Sequence, residues 1–219
     1  MPLTNLHISI HNAGKKFGTD WIFRKLDLEI NAADKIAILG LNGSGKSTLL
    51  QALSGYLTLN EGTMSFRLNG QPVDSEIMYR YCSYASPYLE LIEDFTLAEL
   101  VTHTSVYKPF INTLSVQHVI ELSGLSEHQH KFIHQFSSGM KQRLKLTLAI
   151  LADTPILLLD EPTSNLDVQV IQWYQTMIQT YAQDKTIIVC SNSIKEEYHF
   201  CSKTILMEDY KPIKKTSTK

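Results

Sequence analysis

Apolar positions along this chain follow three regimes. In the first, period-two alternation marks half-buried strands at 6–10 (Leu6, Ile8, Ile10) and 26–30 (Leu26, Leu28, Ile30), with the turn-forming Asn12, Ala13, Gly14, Phe17 and Gly18 between them. A turn at 60–62, alternation over 63–68 and a second turn at Asn69 and Gly70 add an antiparallel strand. In the second regime, from about Thr96 to Ala149, the spacing is helical: Leu97, Leu100 and Val101, then Val116, Val119, Ile120 and Leu122, then Leu144, Leu146, Leu148 and Ile150. The third regime is continuous apolar runs at 36–39, 156–159 and 186–190, the pattern of parallel strands covered on both faces. Together these predict an α/β fold. A mainly parallel sheet forms the core from residues 1–86 and 151–219, with an antiparallel β patch in its N-terminal part and a helical lobe inserted at 87–150.

Composition narrows the class without naming it. The 219 residues are 43 % hydrophobic and carry 20 Lys and Arg against 22 Asp and Glu, an ordinary balance for one globular domain. A net charge of -2 argues against a nucleic-acid partner, which calls for a basic face or stripe. Cys82, Cys190 and Cys201 are odd in number and lack C-x-x-C spacing, so they read as reduced thiols rather than metal ligands. The start, Met1-Pro2-Leu3-Thr4-Asn5, lacks the basic and apolar regions of a signal peptide, and no apolar run approaches the ~18 residues of a membrane span. If the protein works at a membrane, another subunit does the spanning. The tail 211–219 is short and basic and reads as a frayed end.

Two stretches carry chemistry. Gly40-Leu41-Asn42-Gly43-Ser44-Gly45-Lys46-Ser47-Thr48 fits G-x-x-x-x-G-K-[ST] directly after the apolar run 36–39. Its glycines let backbone N–H groups converge on a phosphate, Lys46 supplies a point charge between the β- and γ-phosphates, and Ser47 offers a hydroxyl to Mg²⁺. The helix-forming residues from Thr48 onward place those phosphates at a helix N-terminus. The second stretch is the apolar strand 156–159 ending in Asp160-Glu161-Pro162-Thr163, which delivers two carboxylates to the carboxyl edge of the sheet. Asp160 is the candidate Mg²⁺ holder, directly or through water, and Glu161 the candidate general base toward the attacking water.

Residues 40–48, the segment Phe136-Ser137-Ser138-Gly139-Met140-Lys141-Gln142-Arg143, the strand ending Asp160-Glu161-Pro162-Thr163, and Ser164-Asn165-Leu166-Asp167 stand in the order and approximate spacing of an ATP-binding cassette (ABC) ATPase, which this chain resembles over nearly its whole length. The discriminating segment is similar to the family's LSGGQ, with Phe136 for Leu, Ser138 for the first Gly and Met140 for Gln. The resemblance implies a head-to-tail dimer, with a partner of the same or a related kind. It likewise implies that ATP, with its Mg²⁺, is sandwiched between one subunit's phosphate loop and the other's Ser137, Ser138, Gly139 and Met140. Ser137 and Ser138 are good N-caps for the helix that carries Lys141, Arg143 and Lys145, so a γ-phosphate arriving there meets N–H groups at a positive dipole end. Phe17 falls where the family keeps an aromatic ring on adenine, and filling the core is the alternative use of the same ring.

Two positions depart from the family pattern. Asn192 stands where a histidine usually senses the γ-phosphate, and Pro87 stands where a glutamine usually joins Mg²⁺ and the attacking water to the helical lobe, with Ser86 the nearest side-chain oxygen. Asparagine can donate a hydrogen bond but cannot take a proton. The resemblance implies an ATP-hydrolysing subunit on the cytoplasmic face of a membrane, powering separately encoded transmembrane transporter subunits, with residues 83–96 near the partner. An ABC-type regulatory or clamp ATPase with slow turnover is the alternative, and a phosphate-loop kinase a more distant one.

Overall fold

The computed structural model describes residues 5–212 except Asn165. The N-terminal alternation produces β1 (Leu6–Phe17) and β2 (Asp20–Asn31), a long antiparallel pair. The predicted turn at Asn12 is instead a bulge: the register shifts between Ile10 and Ala13, Asn12 takes φ 48°, and the strand continues to Phe17. An Asn in the left-handed region satisfies a bulge as readily as a turn, and composition alone does not separate them. β3 (Lys35–Leu39) leads into α1 (Lys46–Leu53), and β4 (Glu61–Leu68) and β5 (Gln71–Val73) complete a four-stranded sheet in the order β2-β1-β4-β5.

β6 (Cys82–Ala85) opens the second sheet, and three α-helices separate it from β7 (Ile156–Asp160): α2 (Leu97–Tyr107), α3 (Val116–Ser123) and α4 (Ser138–Leu151). Helix starts are written in the sequence. Thr96 and Glu99 form a reciprocal capping box on α2, and the Ser115 and Ser137 hydroxyls accept from His118 N and Met140 N on α3 and α4. After α5 (Val168–Tyr181), β8 (Thr186–Ser191), α6 (Lys195–Tyr198) and β9 (Lys203–Leu206) finish a five-stranded, all-parallel sheet, β6-β7-β8-β3-β9.

The continuous apolar runs are explained by what covers them. Ile156, Leu158, Ile188 and Cys190 face α1 and the antiparallel sheet in one core. Leu157, Leu159, Ile187 and Val189 point the other way, into a second core with α2–α5. A strand with an apolar layer on each face has no polar alternation to show. The two cores hold α1 and the helices between β6 and β7 on opposite faces of one sheet, so the loops at the strand ends are the region both can reach.

Lys185, just ahead of β8, is buried and donates to the carbonyls of Ile150 (2.8 Å) and Ala152, closing the end of α4. Burial, against the pull of Asp153, lowers its pKa from 10.5 to about 8. The charged form is the one the fold penalises. That penalty is complete below pH 8, shrinks as pH rises, and is gone above the unfolded-state value of 10.5. Urea denaturation should therefore show the parent gaining about 3 kcal/mol relative to Lys185→Met between pH 7.5 and 10.5. A second expectation concerns the core: Leu158→Ala, at a fully buried position of β7, should cost about 2–5 kcal/mol in the same assay.

Candidate functional site

The parallel register sets which loops meet. Leu39 pairs with Ser191 and Cys190 with Asp160, so the residues that follow, Gly40, Asn192 and Glu161, leave the sheet side by side. The 40–48 loop curls through left-handed glycines, Gly43 at φ 75° and Gly45 at φ 104°. Lys46, 4 % exposed, folds back under the loop and donates to Gly40 O at 2.8 Å and Leu41 O at 3.2 Å. Its third partner is Asn192 Oδ1 at 2.7 Å, and Glu161 Oε1 lies 3.8 Å away.

Asn192 uses both ends of its amide. While Oδ1 accepts from Lys46, Nδ2 donates to Asn42 Oδ1 at 2.8 Å and to Glu161 Oε1 at 2.9 Å. A neutral imidazole has one donor and one acceptor and cannot make that set of three. Glu161 adopts φ 44°, and its N–H bonds Cys190 O at 2.9 Å. A non-glycine residue held in this region stores strain of the kind that collects at functional sites.

Asp160 is 1 % exposed, with Oδ2 3.4 Å from the Tyr84 hydroxyl and Oδ1 without a hydrogen-bond partner among the described residues. Burial raises its pKa, the nearby Ser47 hydroxyl opposes the rise, and the Glu161 charge adds to it. Tyr84 is raised too, by burial first and then by the Asp160 charge. Ser44 Oγ is likewise buried and unpartnered. A buried carboxylate oxygen with no partner, beside a serine hydroxyl, suits a hard cation, and the glycine loop suits an anion. Ser47, Asp160, Tyr84 and Ser86 line a cavity of about 850 Å³ at this edge.

The other sequence-predicted residues lie elsewhere. Ser137, Ser138, Gly139 and Met140 form the start of α4, and among the described residues no hydrogen bond joins them to residues 40–48. Thr48 lies in the first turn of α1. Phe17 is 52 % exposed with Lys15 Nζ 5.2 Å from its ring centroid, so it does not fill the core. Asp167 caps α5 by accepting from Val170 N at 2.9 Å, while Asn165 and the tail 213–219 lie outside the described residues. The α4 cations do not share one face. Lys141 pairs with Glu93 at 2.5 Å, Arg143 sits 4.7 Å from the Trp173 ring centroid, and Lys145 is buried. On a helix, positions 141 and 145 align while 143 points away.

Three residues at this edge were given no role by the sequence, although Gln142 lies within the 136–143 segment. Tyr84 reaches Asp160 from the neighbouring strand. Gln142 Nε2 donates to Pro162 O at 3.0 Å, and Glu208 Oε1 accepts from Leu41 N at 2.9 Å. Only Tyr84, a polar tip on a strand beside the acidic one, carries a signal that strand order could have revealed.

Fold and strand-end geometry define a phosphate-loop α/β protein. The family described as ABC transporter matches residues 23–164, and the chain belongs to that family. Among curated relatives it is 29 % identical to the Nod factor export ATP-binding protein I of Burkholderia lata, over 94 % of this chain and 69 % of that protein. It is 30 % identical to the thiamine import ATP-binding protein ThiQ of Histophilus somni, over 78 % of this chain and 81 % of that one. A solved ATP-binding subunit of an ABC transporter superposes with TM-score 0.77 at 20 % identity, covering 91 % of this chain and 85 % of that chain, which establishes the shared fold.

The glycine geometry gives a prediction. Gly43→Ala meets no atom within 4 Å and should cost only the left-handed backbone penalty, about 1–2 kcal/mol. Gly45→Ala adds a contact of 2.6 Å to Ile22 Cγ2 and should cost about 1–3 kcal/mol more in urea denaturation.

Proposed function

We propose that this chain is the ATP-binding and ATP-hydrolysing subunit of a membrane transporter, powering it by ATP-driven closure of two such subunits. The observation that carries this reading is the cluster at the strand ends, in which Lys46, Asn192 and Glu161 stand within one hydrogen-bonded network. Lys46 and the N–H groups of residues 40–48 hold the phosphates, with its ammonium exchanging Asn192 Oδ1 for phosphate oxygen. Glu161 accepts a proton from the water that attacks the γ-phosphorus, and the Asn192 amide donates to γ-phosphate oxygen as charge develops there. Ser47 and Asp160 would hold Mg²⁺, which would supply charge neutralisation for the phosphates. The bond from the γ-phosphorus to the bridging oxygen breaks, leaving ADP and inorganic phosphate.

The second subunit brings Ser137, Ser138, Gly139 and Met140 to the γ-phosphate: they form the positive dipole end of α4, and among the described residues no hydrogen bond joins them to the 40–48 loop of their own chain. Phe17, exposed at the end of β1, stacks on adenine. We assign residues 1–219 to a single ATPase domain, working on the cytoplasmic face of a membrane beside separately encoded transmembrane subunits. No helix among the described residues is long and apolar enough to cross a membrane. Tyr88, 81 % exposed, and Leu89 sit beside the 850 Å³ cavity and offer apolar surface to such a partner. Relatives named for import and for export share this domain, so direction and cargo belong to the membrane subunits. Asn192 and Pro87 favour one second reading, a slow ABC-type switch acting on a soluble partner.

Steady-state ATP turnover and light scattering of the parent, Lys46→Ala and Glu161→Gln test the assignment. Lys46→Ala should lose ATP binding. Glu161→Gln should bind ATP, slow by roughly 10²–10⁴-fold and accumulate as a dimer. Turnover of Glu161→Gln at the parent rate would remove Glu161 as the base. A parent that dimerises with ATP but barely hydrolyses it, and speeds up in Asn192→His, would favour the switch.

A further inference from the structure

Lys145 is an expensive residue for its place. It is 6 % exposed on α4, between the fully buried Leu144 and Leu146, and no ion pair among the described residues includes it. Burial lowers its pKa and Lys141, one turn back, lowers it further. A methionine would pack the same stem with no charge to desolvate. What the ammonium obtains in return is two main-chain carbonyls, Ser86 O and Pro87 O, each at 2.8 Å.

Those carbonyls belong to a turn, closed by Leu89 N to Ser86 O at 3.2 Å, that follows β6 directly. Ser86 shares the 850 Å³ cavity with Ser47 and Asp160, and Tyr84, two residues earlier, reaches Asp160. One turn before Lys145 on the same helix face, Gln142 holds Pro162 O, the residue after Glu161. A single face of α4 therefore grips the loops beside both carboxylates. Because residue 87 is proline, its side chain can make no polar link to α4, and among the described residues the hydrogen bonds that join residues 86 and 87 to α4 are those from Lys145 to their carbonyls; farther along, Lys141 pairs with Glu93.

We propose that Lys145 is a positioning residue for ATP hydrolysis: its ammonium locks the 86–89 turn to the helix that begins at Ser138, so that engagement of that helix by nucleotide sets the Asp160 side of the site in the same movement. The inference rests on the ATPase reading above. Losing the lock leaves the phosphate loop intact and misplaces the metal-side residues, which affects the chemical step rather than binding.

Lys145→Met is the test, with melting temperature, ATP affinity and steady-state kinetics measured on the same preparation. The expected result is a melting temperature equal to or above the parent's, ATP affinity within about twofold, and kcat lower by roughly ten- to a hundredfold. A residue that only packs would leave kcat per folded molecule unchanged, and that result overturns the proposal. Hydrogen exchange of the parent decides independently, including the case in which Lys145→Met does not fold. On adding MgATP, amides in 86–93 and the first turns of α4 should slow together. Slowing of α4 with 86–93 unchanged overturns the lock. A parent that neither binds nor turns over ATP overturns the ATPase reading and this inference with it, whereas unchanged kcat in Lys145→Met overturns this inference alone.

Discussion

The parallel pairing of β7, β8 and β3 is the constraint on which the rest depends. Leu39 beside Ser191, and Cys190 beside Asp160, bring three loops far apart in sequence to one edge, and the side chains that meet there are Lys46, Asn192 and Glu161. A slip of one residue in either pairing would turn Ile188 and Cys190 out of one core and into the other and would separate those loops. The apolar layers on both faces of the sheet fix chemical geometry as well as stability. Their burial on both sides is what makes a register slip costly.

The strand-end cluster is a polar network around the buried Lys46, beside the buried Asp160, and buried polar groups are costly unless satisfied. Lys46 is satisfied by two loop carbonyls and an amide oxygen, and Asn192 by one donor and two acceptors. Asp160 Oδ1 and Ser44 Oγ are not satisfied. The unsatisfied atoms lie on the metal and phosphate sides of the proposed site, where a nucleotide and its cation would supply the missing partners. Asparagine at 192 suits this arrangement because its amide bridges a cation and two acceptors at once without titrating.

Much of this was legible in the sequence, for local physical reasons. The glycine loop announces itself because residues that must adopt positive φ are nearly always glycine, and the helix starts near Thr96 and Ser137 because capping is a contact across three residues. The buried parallel strands were visible as unbroken apolar runs. The bulge at Asn12 was hidden, since the same residue serves a turn. β9 was not foreseen either, because its short stretch Lys203–Leu206 is half exposed and carries no long apolar run.

What stayed hidden at the site are contacts between distant elements. Lys145, Gln142, Tyr84 and Glu208 act through partners 20 to 167 positions away, in part through main-chain carbonyls and amides, and such partners leave no trace in residue type. On α4, which its signature segment and cap already mark, a cation between two core leucines is the irregularity that points to Lys145 itself. The most direct measurement of the strand-end assignment is the side-chain amide resonance of Asn192, followed by nuclear magnetic resonance while a non-hydrolysable MgATP analogue is titrated in. The expected result is a large shift that saturates with binding, as Lys46 exchanges Asn192 Oδ1 for phosphate. Saturable nucleotide binding that leaves that resonance in place would contradict the assignment of the nucleotide to this cluster.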